Sequence, residues 1–447
     1  MSDAPRSTPA VHPVDEVPRF TRLFPLGLQH VLAMYAGAVA VPLIVGGALG
    51  YSAADLAFLI SADLFVAGIA SIIQSVGFWR FGVRLPIMQG VTFAAVGPMI
   101  SIGTTYDITA VFGATIACGL FMLLVAPFFS VLLRFFPPIV TGTVILVIGV
   151  SLMDVAAGWI TNNGPSAAPS DLALAAGTLL FIVLVERFAP PAVARVSVLL
   201  GLVAGTLVAL PMGKADFSGV GEAGWFALIT PLHFGIPTFP VAAVLSMLVV
   251  GLVIMTETTG DMIAVGEITG RPVTPRRLAD GLRADGLSTA LGGLFNTFPY
   301  TAFAQNVGLV SLTGVSSRFV ATAAGGILVV LGLVPKVGAV VGGVPSAVLG
   351  GAGIALFGMV AASGIRSLAK VTFTSRNILV VALSLGVALL PTVRPEIYAN
   401  LPEWFRLIFD SGISAGAISA ILLNLLLNGD QVRAARRHET SPAVSGG

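Results

Sequence analysis

Apolar residues in this chain come in long, nearly unbroken runs, not in the one-faced or alternating patterns of soluble helices and strands. In the first half the runs cover residues 26–47, 54–77, 85–102, 106–128, 138–158, 172–189 and 194–211. In the second they cover 239–262, 283–296, 298–313, 318–335, 345–363, 377–392 and 411–428. Most match the roughly 20 residues that a helix needs to cross about 30 Å of hydrocarbon. Within lipid every backbone amide and carbonyl must find an internal partner, which leaves helices or closed barrels. A barrel would show strands of about ten residues with alternating polarity, and no such segments occur. The pattern predicts an all-α polytopic membrane protein with fourteen transmembrane segments. Three runs, 85–102, 283–296 and 298–313, are short and interrupted by Gly or Pro.

Composition supports lipid as the main solvent. Of 447 residues, 56% are hydrophobic and 10% are charged, whereas a soluble domain carries about 25% charged residues. The single cysteine, Cys118, sits in an apolar run and reads as a packing residue. A net charge of +2 offers no basic cluster for nucleic acid. Residues 1–24 are polar and Pro-rich without a signal-peptide core, and read as a disordered cytoplasmic arm. Loop charge tests the count of spans. With the N-terminus inside, every Lys and Arg except Lys214, Lys336, Arg394 and Arg406 falls on the cytoplasmic side, as the positive-inside rule requires. Both termini, including the tail 429–447, are then cytoplasmic in a multi-pass inner-membrane protein.

The runs divide into two sets of seven, 25–211 and 239–428, joined by an extracytoplasmic linker at 212–238. Seven is odd, so the second set enters the membrane in the opposite sense, the architecture of inverted repeats. The third run of each set contains LPIMQGVTFAAVGP (85–98) or FPYTAFAQNVG (298–308). Paired short, broken segments point to a midplane binding site, each built from an extended piece and a half-helix whose N-terminal amides face the centre. Two kinked helices are the alternative.

Ionisable groups within spans are costly and mostly functional. Glu257 and Asp261 lie four residues apart, on one helical face, and two carboxylates there cannot both be cheaply ionised. Asp285 opens the ninth run, as a helix cap or a site residue. His30 is the only histidine within a run; it titrates or packs. Asp63 and Asp154 are explicable as inter-helix hydrogen bonds. Gln305 and Asn306 each pair a donor with an acceptor, which suits a heterocycle edge with N–H beside C=O. Phe93, in the matching segment, is placed to stack on a flat ring or to pack in the core.

Three motifs carry a resemblance to a known family: Gln29-His30 in LGLQHVLAMYAG, Glu257 and Asp261 in MTETTGDM, and QNVGLVSLTG at 305–314. From about residue 22 to 428 the chain resembles the nucleobase–ascorbate transporter family, also called nucleobase:cation symporter 2. The resemblance implies a core domain from spans 1–4 and 8–11, and a gate domain with a homodimer interface from spans 5–7 and 12–14. It implies that Glu257 and Gln305 bind the base, helped by Phe93 and the amides of Phe93 and Ala304. Asp261, Asp285, Asn306 and His30 match positions linked to proton coupling or site integrity. Gln305 resembles purine carriers, where uracil carriers have Glu. Thr92, where xanthine-specific members often carry Asn, looks more like the urate group. The implied activity is proton-coupled import of an oxidised purine, urate before xanthine, with no cofactor besides the proton. An anion exchanger or channel-like carrier of similar fold, or another nucleobase permease, is the alternative. No nucleophile–base pair, metal-ligand spacing or nucleotide loop suggests an enzyme.

Overall fold

The structure, a computed structural model, describes residues 12–440, with the side chains of residues 134 and 430–440 outside the description. The first half contains α1 (Phe20–Ala48), α2 (Ala53–Val76), β1 (Gln89–Val91), α3 (Val96–Thr105), α4 (Ile108–Val125), α5 (Pro138–Ser151), α6 (Met153–Thr161), α7 (Pro169–Phe188) and α8 (Ser197–Ala209). The second contains α9 (Val241–Ile268), α10 (Pro275–Leu294), β2 (Tyr300–Ala302), α11 (Ala304–Thr313), α12 (Arg318–Gly332), α13 (Pro335–Gly342), α14 (Ser346–Leu368), α15 (Ser375–Val393) and α16 (Gly412–Thr440). A helix lies over every apolar run. Among the described residues eight are long and apolar enough to cross a membrane, or nine when α12 and α13 count as one bent span. The protein is an all-helical polytopic membrane protein.

Several run boundaries need correction. Run 85–102 is no single helix: β1 leads through a tight turn at Phe93–Ala95 into α3. Run 298–313 is likewise β2 followed by α11. Run 283–296 is only the second half of α10, whose polar first turns hold Arg276, Arg277 and Arg283; a hydropathy criterion stops at those charges, but the backbone does not. Run 318–335 bends by 79° between α12 and α13. Pro335 has no N–H to continue the ladder, and it forces Val334 into an extended conformation. Run 411–428 continues helically to Thr440. Residues 1–11 of the predicted disordered arm lie outside the described residues, but the rest is ordered. Pro13–Asp15 forms a helical turn and α1 starts at Phe20. Asp15 pairs with Arg271 at 2.7 Å and Arg318 at 2.8 Å. Burial alone pushes its carboxyl up, yet the two guanidinium groups hold it below its ordinary value. Composition could not reveal partners 256 and 303 residues away.

The helices pack in matched pairs. α2 lies along α12 as α10 lies along α4, and α1 touches α12 as α9 touches α4. α5 and α14 form a central pair, flanked by α7 with α8 and by α15 with α16. Small residues set the crossing points, since helices in lipid associate through close backbone approach. A Cβ on Gly68 would sit 2.5 Å from the Gly325 carbonyl oxygen; one on Gly119 would sit 2.6 Å from that of Gly286. At the α5–α14 crossing, a Cβ on Gly364 would meet the Gly142 oxygen at 2.8 Å. The strands β1 and β2 pair antiparallel with Gly90 opposite Thr301. Backbone groups too extended for a helix are thereby satisfied inside the bundle.

Candidate functional site

The two short helices α3 and α11 both begin where the crossed strands end. Their N-termini are finished differently. Thr92 accepts a hydrogen bond from the Ala94 amide at 3.1 Å and caps the first turn. Phe303 stands at the corresponding place before α11 with no side-chain cap. Its buried ring instead fills the space that Gly37 and Gly90 leave open. Ala304 and Gln305, the first two residues of α11, are exposed. Uncapped first-turn amides are free donors carrying partial positive charge.

Helix α9 runs past this crossing, touching β2, α11 and the turn at Phe93. Glu257, half-buried, accepts a hydrogen bond from Thr301 of β2 at 3.5 Å, and Thr92 is also a partner of its carboxylate. Thr92, Phe93, Glu257, Ala304 and Gln305 therefore stand on elements that meet at one place. Phe93 is half-buried, its ring edge-on to Phe357 of α14 with centroids 5.8 Å apart. Asp261 follows Glu257 by one turn, and its Oδ2 is buried without a hydrogen-bond partner.

Asp285 is fully buried within α10, eleven residues past Thr274, which caps that helix. The helix-cap alternative is thus ruled out by position. Two amides, Gln74 Nε2 at 2.9 Å and Gln89 Nε2 at 2.8 Å, donate to Asp285 Oδ1. Thr258 is a further hydrogen-bond partner of this carboxyl, while no close donor faces Oδ2. Thr258 also faces Thr301 at 3.1 Å and accepts from the Ala302 amide. The chain of polar groups from Asp285 to Glu257 is thus continuous through two threonines. His30 and Asn306 form a separate tie. Asn306 Nδ2 donates to the His30 carbonyl at 2.9 Å and lies 3.1 Å from Nδ1, fixing α1 to α11. Asp63 is buried behind β2 and accepts from Tyr300 at 2.8 Å and Thr297 at 3.2 Å; its partners lie on β2 and the turn before it, so the inter-helix reading is corrected to a helix-to-strand bond. Asp154 is instead exposed on α6, so its inter-helix reading is corrected.

Gln74, Gln89, Thr258, Thr301 and Phe303 were not among the residues singled out from sequence. A search for every amide side chain within an apolar run would have found the two glutamines. Nothing local marks the threonines, whose partners come from distant helices.

Comparison with known proteins agrees with this arrangement. A permease family profile matches residues 21–397. The uric acid transporter UacT of Escherichia coli K12 is 45% identical over 96% of this chain and 92% of its own. The xanthine permease of Bacillus subtilis is 45% identical over 92% of this chain and 94% of its own. The uric acid permease PucK of the same bacterium is 45% identical, with coverage of 93% and 97%. Among solved structures, the transmembrane domain of the cyanobacterial bicarbonate transporter BicA superposes with a TM-score of 0.62. It shares 15% identity, over 93% of this chain and 99% of its own. A murine solute carrier 26 anion transporter gives 0.60 at 12% identity, over 93% of this chain and 69% of its own. These last two show the fold. Identity along nearly the whole chain, with the motifs at 29–30, 257–261 and 305–314, shows the relationship: the chain belongs to the nucleobase–ascorbate (nucleobase:cation symporter 2) permease family and is a transporter, not an enzyme.

Proposed function

We propose that this protein imports an oxidised purine base, urate first and xanthine next, together with a proton. The observation that carries this reading is the hydrogen bond of Glu257 to β2, the strand that runs into the uncapped start of α11, where Gln305 is exposed. An N–H edge of the base fits the Glu257 carboxylate, and a C=O beside N–H fits the Gln305 amide. Phe93 packs on the ring, while the amides of Phe93 and Ala304 donate to ring oxygens. The names of the similar relatives, uric acid and xanthine permeases, support this substrate class. The fold alone is shared with carriers named for bicarbonate and other anions. A carboxylate and an amide at the crossing suit a neutral N–H edge better than a bare anion.

The matched helix pairs support fourteen spans in two inverted repeats, residues 25–211 and 239–428, and the loop charge supports cytoplasmic termini. α1–α4 with α9–α13 form the core domain; α5–α8 with α14–α16 form the gate, which also makes a homodimer contact. Transport is core movement against gate. Among the described residues no recorded ion pair involves Glu257, Asp261 or Asp285. A proton on one of them neutralises charge that would otherwise cross an apolar gate uncompensated.

Uptake of labelled urate into vesicles under an imposed pH gradient, with xanthine, guanine, hypoxanthine and uracil as competitors, tests both parts. The wild type should accumulate urate and yield to xanthine before uracil, and Glu257→Gln should lose gradient-driven accumulation. Undiminished accumulation by Glu257→Gln would sink the role given to that carboxylate.

A further inference from the structure

Between Asp285 and Glu257 the polar groups are two hydroxyls in series, and counting their protons is informative. The path has three gaps: Asp285 to Thr258, Thr258 to Thr301, and Thr301 to Glu257. Thr258 and Thr301 are 3.1 Å apart, with either able to donate, and Thr301 donates to Glu257 Oε2 at 3.5 Å. Two hydroxyl protons can fill only two of three gaps. Thr258 is a hydrogen-bond partner of the Asp285 carboxyl, whose Oδ1 is pinned by Gln74 and Gln89, so the three gaps are one proton short. The two threonines are buried, 0% and 3% exposed, so bulk water does not substitute for them.

We infer that Thr258 and Thr301 are a proton relay between Asp285 and Glu257, completed by one proton shared between the two acids. This rests on the proton-coupled reading above. When the proton is on Asp285 Oδ2 it is donated to Thr258 Oγ1. Thr258 then donates to Thr301, and Thr301 to the Glu257 carboxylate. Shifting each proton along by one bond breaks the O–H at Asp285 and forms one at Glu257, with both hydroxyls regenerated in the reversed orientation. One proton moves and no charge is created. Both end states are fully hydrogen-bonded, so neither leaves a buried hydroxyl unpaired. A base that engages Glu257 competes for the carboxylate oxygen facing Thr301, which ties occupancy of the site to the position of the proton. Asp261 lies one turn from Glu257 and interacts electrostatically with both acids; it is outside the path.

The test compares two activities of purified protein in liposomes: accumulation of labelled urate driven by a pH gradient, and urate counterflow without one. Thr258→Val and Thr301→Val keep the shape of the side chain and remove the hydroxyl. The ratio of gradient-driven accumulation to counterflow should fall about ten-fold or more in each, and Thr→Ser at either position should restore it. Valine variants with an unchanged ratio would overturn the relay, while a wild type indifferent to the gradient would overturn the coupling itself. Loss of both activities together, unrescued by serine, would assign the threonines to structure and also overturn the relay. Urate binding to the purified variants verifies that they are folded.

Discussion

The two strand-to-helix junctions occupy matching places, yet one is closed and the other open. At the first, Thr92 caps its own turn. Gln89 just before it donates its side-chain amide to Asp285, while its backbone N–H donates to the Ser71 hydroxyl at 2.9 Å. At the second, strand β2 is pinned from behind by Thr289, Thr258 and the Asp63–Tyr300 bond. The helix it feeds starts without a cap and with Gln305 exposed. The difference teaches that both junctions are rigidly held, but only the second begins its helix without a side-chain cap and with an exposed amide side chain. In the proposed site the first offers the Phe93 ring and amide; the second offers the Ala304 amide and the Gln305 side chain.

Removing the open junction's amide should have the largest effect. Gln305→Ala is expected to lower urate uptake by about a hundred-fold or more at equal membrane abundance, since a site built for a polar edge depends strongly on each pairing. Uptake within about three-fold of wild type would show that α11 does not carry the recognition. The framework at the closed junction comes next. Asp285→Ala leaves the Gln74 and Gln89 amides without their acceptor, at about 1–3 kcal/mol for each buried unpaired donor. Thermal unfolding in detergent should shift clearly downward, and an unchanged transition would mean that water replaces the carboxylate. The smallest effect belongs to the cap. Thr92→Ala should cost about 1 kcal/mol of stability and Thr92→Ser should recover it, with a far smaller loss of uptake than Gln305→Ala. Equal losses from Thr92→Ala and Gln305→Ala would erase the distinction between the junctions.

Much of the site was legible because burying a charge in lipid is so costly that few are present. Glu257, Asp261 and Asp285 stood out as carboxylates in apolar sequence, and Gln305 with Asn306 as paired amides. Their partners were less legible. Gln89 lies in a short segment that reads mainly as a break, and Gln74 near the end of an ordinary span. Asn306, grouped with Gln305 by adjacency, turns away from it to His30, because successive helix residues point about 100° apart. Asp285 read equally well as a helix cap until α10 extended back to Pro275.

Hydropathy by itself determined the solvent, the helical class, and the place of the paired broken segments at 85–98 and 298–308, because a bilayer penalises every unsatisfied backbone group wherever it lies in the chain. Tertiary structure decided what those breaks are for. Pairing of Gln89–Val91 with Tyr300–Ala302 joins residues more than two hundred positions apart, and neither strand is long enough to signal its partner. Only that crossing sets Thr301 against Glu257 and Thr258, and only the packing of α2 and α10 delivers two amides to one carboxyl oxygen. Hydrogen bonds are short-ranged and directional, so a list of polar residues stays silent about them until the helices are placed.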